Sequence, residues 1–236
     1  MKWGESLFHP GGLLAFRDIA SAALYPELST SFLILAAKSA WSTLAYAITG
    51  MCLAIFLGLP LGVLASGVLT KTKTLRIVEV SCVRFLLGFC RATHELVWAW
   101  FFIVAFGLSP IAAIFALAIP YGGILGRIYA DILNDIPNEP LRALRSAGAS
   151  EFKILIYGRL PMALPNMVSY SIYRLECAIR ATAIMGFVGV GGIGFQLQLS
   201  LSSLHYNEVW TLLYILVGII IVGDTWSNWL RRSITP

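Results

Sequence analysis

Six ionisable side chains stand inside stretches of this sequence that are otherwise apolar. Arginine carries a planar guanidinium whose fork of N–H donors suits the oxygens of phosphoryl-type anions. Charge inside an apolar segment is costly, so such residues either pair with one another or line a pathway for ions. The chemistry that these arginines could perform is therefore the weak, transient binding of a small anion. The six residues are Arg84, Arg91, Glu95, Arg174, Glu176 and Arg180.

The spacing of the later three residues predicts a pair and a separate cation. Glu176 and Arg180 are four positions apart, so they share a helix face and can form a salt bridge. Arg174 is two positions from Glu176, about 200° around a helix, and needs a different partner or a water-filled cavity. Two interpretations stay open: Glu176–Arg180 fixes helix packing, or all three residues line a pathway.

The earlier three residues form a stripe with Gly88, at successive spacings of 4, 3 and 4. On one helix these positions share a face. Arg91 and Glu95 can form a salt bridge within the stripe, and such a pair would fix the packing of the helix. Arg84 has no acid at helical spacing, so we expect it to line the pathway.

A glycine-rich run, Gly189-Val190-Gly191-Gly192-Ile193-Gly194, fits the GxGxxG pattern letter for letter. A dinucleotide site also needs a preceding strand and an acidic residue about 20 positions on. An apolar helical segment precedes this run, and the next acids, Glu208 and Asp224, have the wrong spacing. We therefore interpret Gly189, Gly191, Gly192 and Gly194 as part of an outer gate, a tight reversal, or both.

The sequence predicts no catalytic residue, no metal site and no cofactor bound by this chain. His94-Glu95 begins like the zinc-protease motif HExxH, but Trp98 occupies the second histidine position. There is no phosphate-binding Gly-Lys-Ser/Thr and no GxSxG nucleophile elbow. The four cysteines form no CxxC pair.

Long apolar blocks must position these residues. Hydrophobic residues make up 58% of the 236 positions and charged residues 12%, about half the share in a soluble domain. Blocks of about 20 apolar residues can cross a bilayer, where the backbone must be helical. We predict an all-α membrane protein with about five transmembrane helices after an N-terminal interfacial helix near 11–25; a sixth span there is the alternative. The five are 36–67, 77–106, 110–128, 162–187 and 209–230.

The positive charges predict the orientation. With five spans, ten Lys and Arg residues fall on one side, which we take as cytoplasmic together with the C-terminus. Only Lys2, Arg17 and Lys38 belong to the other side. This scattered distribution argues against nucleic-acid binding, despite the net charge of +5. The ten are Lys71, Lys73, Arg76, Arg127, Arg142, Arg145, Lys153, Arg159, Arg231 and Arg232.

The longest polar interval between spans, 131–161, predicts two short helices joined at Gly148. Ser150 is a suitable N-cap for the second helix, and Glu151 suits its first turn. Pro161 would begin the next span, where a missing N–H costs little.

This interval resembles the EAA loop of ABC importer permeases, in which a glycine precedes Leu-Pro by twelve positions. The resemblance implies that the loop is a coupling helix that docks on a cytoplasmic ATPase dimer. One departure is Arg142, which stands where the family has an acidic residue. The matching residues are Arg142, Ala143, Gly148, Ala149, Ser150, Leu160 and Pro161.

The charges of the fourth span and the glycine run resemble the phosphonate/phosphite-type subfamily of these permeases, over about 36–230. The resemblance implies a type I importer architecture, a homodimer in a bacterial inner membrane, and an external substrate-binding protein. It also implies that ATP and Mg are bound by the partner ATPase. The transport domain would be 36–230, between an N-terminal segment 1–35 and a cytoplasmic tail 231–236.

Three rival functions remain. A methionine- or other amino-acid-type ABC permease differs only in substrate. An intramembrane enzyme would need a nucleophile–base pair or a metal motif. A secondary transporter would usually need more spans and inverted repeats.

Overall fold

The computed structural model describes residues 12–70 and 72–234, and all regular elements in these ranges are helical. This confirms the all-α prediction. The α-helices, in chain order, are α1 (Gly12–Ala22), α2 (Thr30–Ser66), α3 (Lys73–Ala92), α4 (Glu95–Phe106), α5 (Pro110–Asn134), α6 (Asn138–Ser146), α7 (Glu151–Ile154), α8 (Leu160–Met185), α9 (Ile193–Ser202) and α10 (Tyr206–Ile234). A π-helical turn, Leu155–Arg159, joins α7 to α8, and a 3-10 turn, Gly186–Val188, follows α8.

Three of the described helices are long and apolar enough to cross a membrane: Thr30–Ser66, Pro110–Asn134 and Tyr206–Ser233. A fourth span is available if Glu151–Val188 and Ile193–Ser202, which meet at a 42° bend, count as one. The multi-pass architecture is therefore confirmed, whereas the number five stays a prediction. Helix α2 alone is about 55 Å long, so it outreaches a hydrocarbon core of about 30 Å.

The predicted second span, 77–106, is wrong as a single helix. The chain breaks after Ala92, where Thr93 and His94 are extended. His94 caps α4, because its Nδ1 accepts a hydrogen bond from the Leu96 N–H at 3.3 Å. Helix α4 is only 12 residues long, about 18 Å.

Glycines let α2 pack closely against α5. A Cβ at Gly58 would lie 3.1 Å from the Gly122 carbonyl oxygen, and one at Gly62 would lie 2.9 Å from that of Gly126. Small residues drive such packing in lipid, where apolar area alone gives no preference for protein over lipid tails. This tight pair forms the scaffold against which α3, α4 and α8 are placed.

The C-terminal end of α1 is hydrogen-bonded to the first turns of α10. The Trp210 indole donates to the Ile19 carbonyl at 2.7 Å, and the Tyr214 hydroxyl donates to the Ala23 carbonyl at 2.8 Å. The helix predicted near 11–25 is therefore present, and its position at the membrane surface stays a prediction.

The predicted division of the chain is untested, but two boundaries fall inside helices. Helix α2 begins at Thr30, before the boundary at 35, and α10 continues to Ile234, past the boundary at 231. Residues 1–11, 71 and 235–236, with Lys2 and Lys71 of the charge count, lie outside the described residues.

Candidate functional site

The polar hairpin, which we define as α6, α7 and the turn between them, has the predicted form. Gly148 has φ +82° and forms the turn. The Ser150 hydroxyl accepts a hydrogen bond from the Lys153 N–H, which caps α7 as expected. Arg145 clasps the turn through two hydrogen bonds to Glu151, at 3.0 and 3.1 Å. That carboxylate raises the pKa of the Arg145 guanidinium, chiefly by hydrogen bonding.

The second arm of the hairpin is continuous with α8, which corrects the prediction that a new span begins at Pro161. Helix α7, the π turn and α8 follow one another without a break. Pro161 is the second residue of α8 and therefore lies inside this continuous helical path, not at a free helix start. A movement of the hairpin can therefore pass directly into α8.

Packing fixes the base of the hairpin to the bundle. Leu141 is fully buried, and a Cβ on Gly158 would lie 3.1 Å from the Leu141 side chain. The Arg159 guanidinium donates to the Leu133 carbonyl at the end of α5 at 2.6 Å. On the outer side Arg142, Ala143 and Ser150 are exposed, Ala149 and Leu160 are half-buried, and Phe152 and Tyr157 present aromatic rings to the outside.

Arg174 pairs with Tyr170 and not with Glu176, as its spacing from Glu176 predicted. Its guanidinium donates two hydrogen bonds to the Tyr170 hydroxyl, at 2.7 and 3.0 Å. It also lies over two aromatic rings, 5.3 Å from the Tyr170 centroid and 5.6 Å from that of Tyr173. A phenol leaves the charge of the arginine uncompensated, so the group keeps its attraction for an anion.

Glu176 and Arg180 form the predicted salt bridge, with a nitrogen–oxygen distance of 2.8 Å. The glutamate side chain is 12% exposed, whereas that of the arginine is 50% exposed. The acid of this salt bridge is therefore largely buried, while its basic partner reaches the surface.

Arg84, Gly88 and Arg91 of the predicted stripe share helix α3, but the fourth member, Glu95, belongs to α4. Glu95 lies 3.7 Å from the His94 imidazole, and the predicted Arg91–Glu95 pair is absent from the described residues. Arg91 is exposed near the end of α3.

Arg84 has an acidic partner that sequence spacing missed. Its guanidinium lies 3.6 Å from the Asp131 carboxylate and donates to the Ala65 carbonyl at 3.2 Å. Asp131 also accepts from Arg127 at 3.1 Å. These contacts tie the C-terminal ends of α2 and α5 to the middle of α3, so a packing role accounts for Arg84 without a pathway.

The glycine run makes a compact junction in the chain. Gly189, Gly191 and Gly192 have φ between +81° and +94°. A Cβ on Gly194 would lie 1.9 Å from the Ala183 carbonyl oxygen, so α9 starts in direct backbone contact with the end of α8. The helical segments before and after the run meet at a bend of 42°, which corrects the idea of a tight reversal at the glycines. The turn into α10 comes later, at Ser203–His205.

This junction is held from two sides. The Ile193 N–H donates to the buried Thr43 hydroxyl of α2 at 2.9 Å, and a Cβ on Gly189 would lie 3.1 Å from the Leu108 side chain. Leu108 belongs to the turn between α4 and α5. The run therefore touches three segments, and its role as an outer gate stays a prediction.

Sequence reasoning missed the tyrosines of this region. Tyr170 is four positions before Arg174, so helical spacing could have identified it. Asp131 of α5 and Arg84 of α3 belong to different helices, and no local spacing signals such a contact.

Comparison with known proteins identifies the family. The sequence model described as "binding-protein-dependent transport system inner membrane component" matches residues 29–236. The phosphite transport system permease protein PtxC of Stutzerimonas stutzeri is 29% identical over 226 residues, covering 94% of this chain and 78% of that protein. The putative phosphite transport system permease protein HtxC of the same organism is 31% identical over 209 residues, covering 89% and 72%.

Among solved structures, an inward-facing form of the MetNI methionine ABC transporter superimposes with a TM-score of 0.77. It is 24% identical, and the match covers 89% of this chain and all of that one. This likeness shows a shared fold, the type I ABC importer permease architecture. The predicted resemblance to the phosphonate/phosphite-type permeases is confirmed by the sequence relatives. Since the family match covers most of the sequence, this chain belongs to the inner membrane components of binding-protein-dependent ABC transport systems.

Proposed function

We propose that this permease imports a small oxyanion of the phosphite or phosphonate type. Two relatives named as phosphite permeases support this substrate class. The observation that carries the proposal is Arg174, whose cationic fork meets a phenol and two aromatic rings with no salt bridge among the described residues. Such a group attracts an anion yet binds it weakly enough for release.

The polar hairpin would transmit the motion of a cytoplasmic ATPase dimer. Its two arms are clasped by Arg145 and Glu151, and its second arm continues into α8. A rigid projection of this kind passes on a partner's closure as a rigid-body displacement. Exposed Phe152 and Tyr157, at 60% and 75%, provide an apolar surface for docking.

The assembly would contain two copies of this chain, because a bundle of this size encloses a pathway poorly. An external binding protein would deliver the anion, and ATP with Mg would bind in the ATPase dimer. We place the complex in a bacterial inner membrane with the C-terminus in the cytoplasm. Closure of the ATPases would open the pathway outward, and hydrolysis would reset it.

A methionine or other amino-acid substrate is the second candidate, favoured by the structural likeness to a methionine transporter. Uptake by proteoliposomes that contain the permease, its ATPase and its binding protein separates the two. We expect ATP-dependent uptake of radiolabelled phosphite or methylphosphonate and none of methionine. The reverse result would replace the oxyanion with the amino acid.

Replacing Gly148 with alanine should uncouple ATP hydrolysis from transport. Nothing lies within 4 Å of a Cβ at this position, so the substitution acts only through its positive φ. A left-handed conformation costs an alanine about 1–2 kcal/mol, which the turn would relieve by changing shape. We expect uptake per ATP hydrolysed to fall several-fold.

Gly107→Ala is the matched control for this variant. Gly107 also has positive φ, +72°, with nothing within 4 Å, but it lies in the turn between α4 and α5. It should lose at least as much stability, because its φ of 72° and ψ of −173° lie in a region almost exclusive to glycine, and it should keep the ratio of uptake to hydrolysis. Equal ratios in the two variants would remove the hairpin from the coupling mechanism.

A further inference from the structure

A basic cavity lies at the end of the bundle where α5 leads into the polar hairpin. It measures about 440 Å³ and opens between the C-terminal ends of α2 and α5 and one face of α3. Ligand sites commonly measure about 300–1,000 Å³, so a small polar group fits inside. The lining residues are Ser66 of α2, Lys73, Arg76, Ile77, Val80, Ser81 and Arg84 of α3, and Asn134 of α5.

The helical repeat of α3 brings three cations to this cavity. The lining positions from Lys73 to Arg84 follow the i, i+3, i+4, i+7 pattern of a single helix face. Ser66 and Asn134, the last residues of α2 and α5, complete the lining from two other helices. The cavity therefore depends on how the three helices pack, as well as on the charges of one of them.

Two of the three cations are available to a ligand. Within the part of the chain that the structure describes, the side chains of Lys73 and Arg76 form no hydrogen bond and no ion pair, and both are exposed. Arg84 is engaged, since it contacts Asp131 and the Ala65 carbonyl. A cation without an acidic partner keeps its attraction for an anion. Lys73 and Arg76 can therefore donate hydrogen bonds to a negatively charged group.

The acids near the cavity are bonded to other residues. Asp131 lies 3.6 Å from Arg84 and 3.1 Å from Arg127. Glu79 accepts a hydrogen bond from the Thr70 hydroxyl. Neither acid lines the cavity, and the eight lining residues include no Asp or Glu. The walls of the cavity therefore carry positive charge only.

Gly67, the C-cap of α2, makes room for the Arg76 side chain. A Cβ on Gly67 would lie 2.9 Å from the Arg76 Nε atom and 3.0 Å from its Cγ atom. The arginine side chain therefore lies directly against the backbone at the end of α2. An ordered side chain lowers the cost of binding, because less conformational freedom remains to be lost.

The location indicates which anion fits. The cavity lies at the ends of α2 and α5, which are both long and apolar enough to cross a membrane, on the predicted cytoplasmic side. Basic pockets between membrane helices on that side bind the phosphate groups of lipids, and the same donors suit free phosphate. Ile77 and Val80 add an apolar wall, and exposed Leu75 and Val78 extend the apolar surface of α3. Acyl chains could lie along this surface.

We propose that this cavity binds a phosphoryl group, with Lys73 and Arg76 as cationic donors and Ser81 and Asn134 as neutral donors. The group belongs to the headgroup of an anionic phospholipid or to free phosphate. This site goes beyond the proposed function, because it does not contain Arg174 and does not depend on which substrate is transported.

The test uses the full-length chain, purified in a detergent without net charge. Native mass spectrometry measures the binding of added phosphatidylglycerol, and equilibrium dialysis measures the binding of radiolabelled inorganic phosphate. The double variant Lys73→Gln, Arg76→Gln should weaken the binding of the lipid, of phosphate, or of both by about tenfold or more, because hydrogen bonds to charged groups are lost. A loss confined to the lipid identifies a headgroup, and a loss confined to phosphate identifies the free anion.

The double variant Lys153→Gln, Arg232→Gln is the matched control. It also removes one lysine and one arginine, both exposed and on the same predicted side, from positions outside the cavity. Either measurement should change less than about twofold, because the total charge is the same in the two double variants. Equal losses in both would show that diffuse positive charge, and not this cavity, attracts the probes.

A third variant tests the cavity without changing its charge. Ser81→Leu places an apolar side chain in the lining and should reproduce the loss of binding, whereas Cys82→Leu changes the neighbouring exposed position outside the lining and should not. The thermal unfolding midpoint confirms that each variant is folded. Normal binding by Ser81→Leu, or no binding of either probe by the original chain, would overturn the site. Neither measurement involves uptake, so a failure here is separate from a failure of the proposed substrate.

Discussion

Replacing Arg174 with alanine should lower oxyanion uptake about 100-fold. The arginine offers a charged fork to the substrate, and hydrogen bonds to charged groups contribute about 1.5–3 kcal/mol, or tenfold to more than 100-fold in binding. The polar hairpin does not contain this residue, so co-purification of the ATPase should be unchanged. Initial uptake rates in proteoliposomes, with the bound ATPase measured on the same preparation, give both results.

Two variants make this result specific. Arg174→Lys keeps the charge but loses the planar fork, and should recover only part of the activity. Arg232→Ala removes a charge from an exposed position and should leave uptake within twofold. Normal uptake by Arg174→Ala would exclude this residue from the pathway.

Replacing Gly194 with alanine should prevent stable folding of the permease. The added Cβ would lie 1.9 Å from the Ala183 carbonyl oxygen, and backbone cannot move aside as a flexible side chain can. Overpacking usually costs about 1–3 kcal/mol, and a contact this short with main chain should exceed that range. We expect loss of the folded protein in size-exclusion chromatography, or a large drop in its thermal unfolding midpoint.

Gly218→Ala is the control for this steric effect. A Cβ on Gly218, in the middle of α10, meets nothing within 4 Å. Alanine also has the higher helix propensity, so this variant should be as stable as the original chain or slightly more stable. Two equally stable variants would show that the backbones of α8 and α9 separate more easily than their contact implies.

Local sequence signals were sufficient for several parts of the site. Gly148, between two polar segments, predicted the turn, and Ser150 predicted the N-cap of α7. Turns and caps depend on residues within three or four positions of each other, so a local pattern is enough to predict them. The Glu176–Arg180 salt bridge followed from helical spacing alone. The apolar blocks predicted the helices of a membrane protein, although not every helix boundary.

Contacts between distant segments could not be read in this way. Arg84 and Asp131 are 47 positions apart, and their pairing depends on how α3 packs on α5. The break before α4 depends on His94, which caps that helix. Because His94 stands within a long apolar stretch, the sequence pattern did not predict a helix end there. The meeting of Arg174 and Arg231 at Tyr173 likewise needs α8 and α10 side by side.

The hydrogen bonds from α10 to α1 and to the residue that follows it join positions far apart in the sequence. Ile19 and Ala23 receive their donors from Trp210 and Tyr214, and both bonds span 191 positions. A ribosome makes these partners many seconds apart, at about 5–20 residues per second. Helix α1 must therefore wait, incompletely bonded, until Trp210 and Tyr214 have been synthesised. Closing this loop should be a late event in biogenesis, and a chain stopped before α10 would expose those carbonyl groups to quality control.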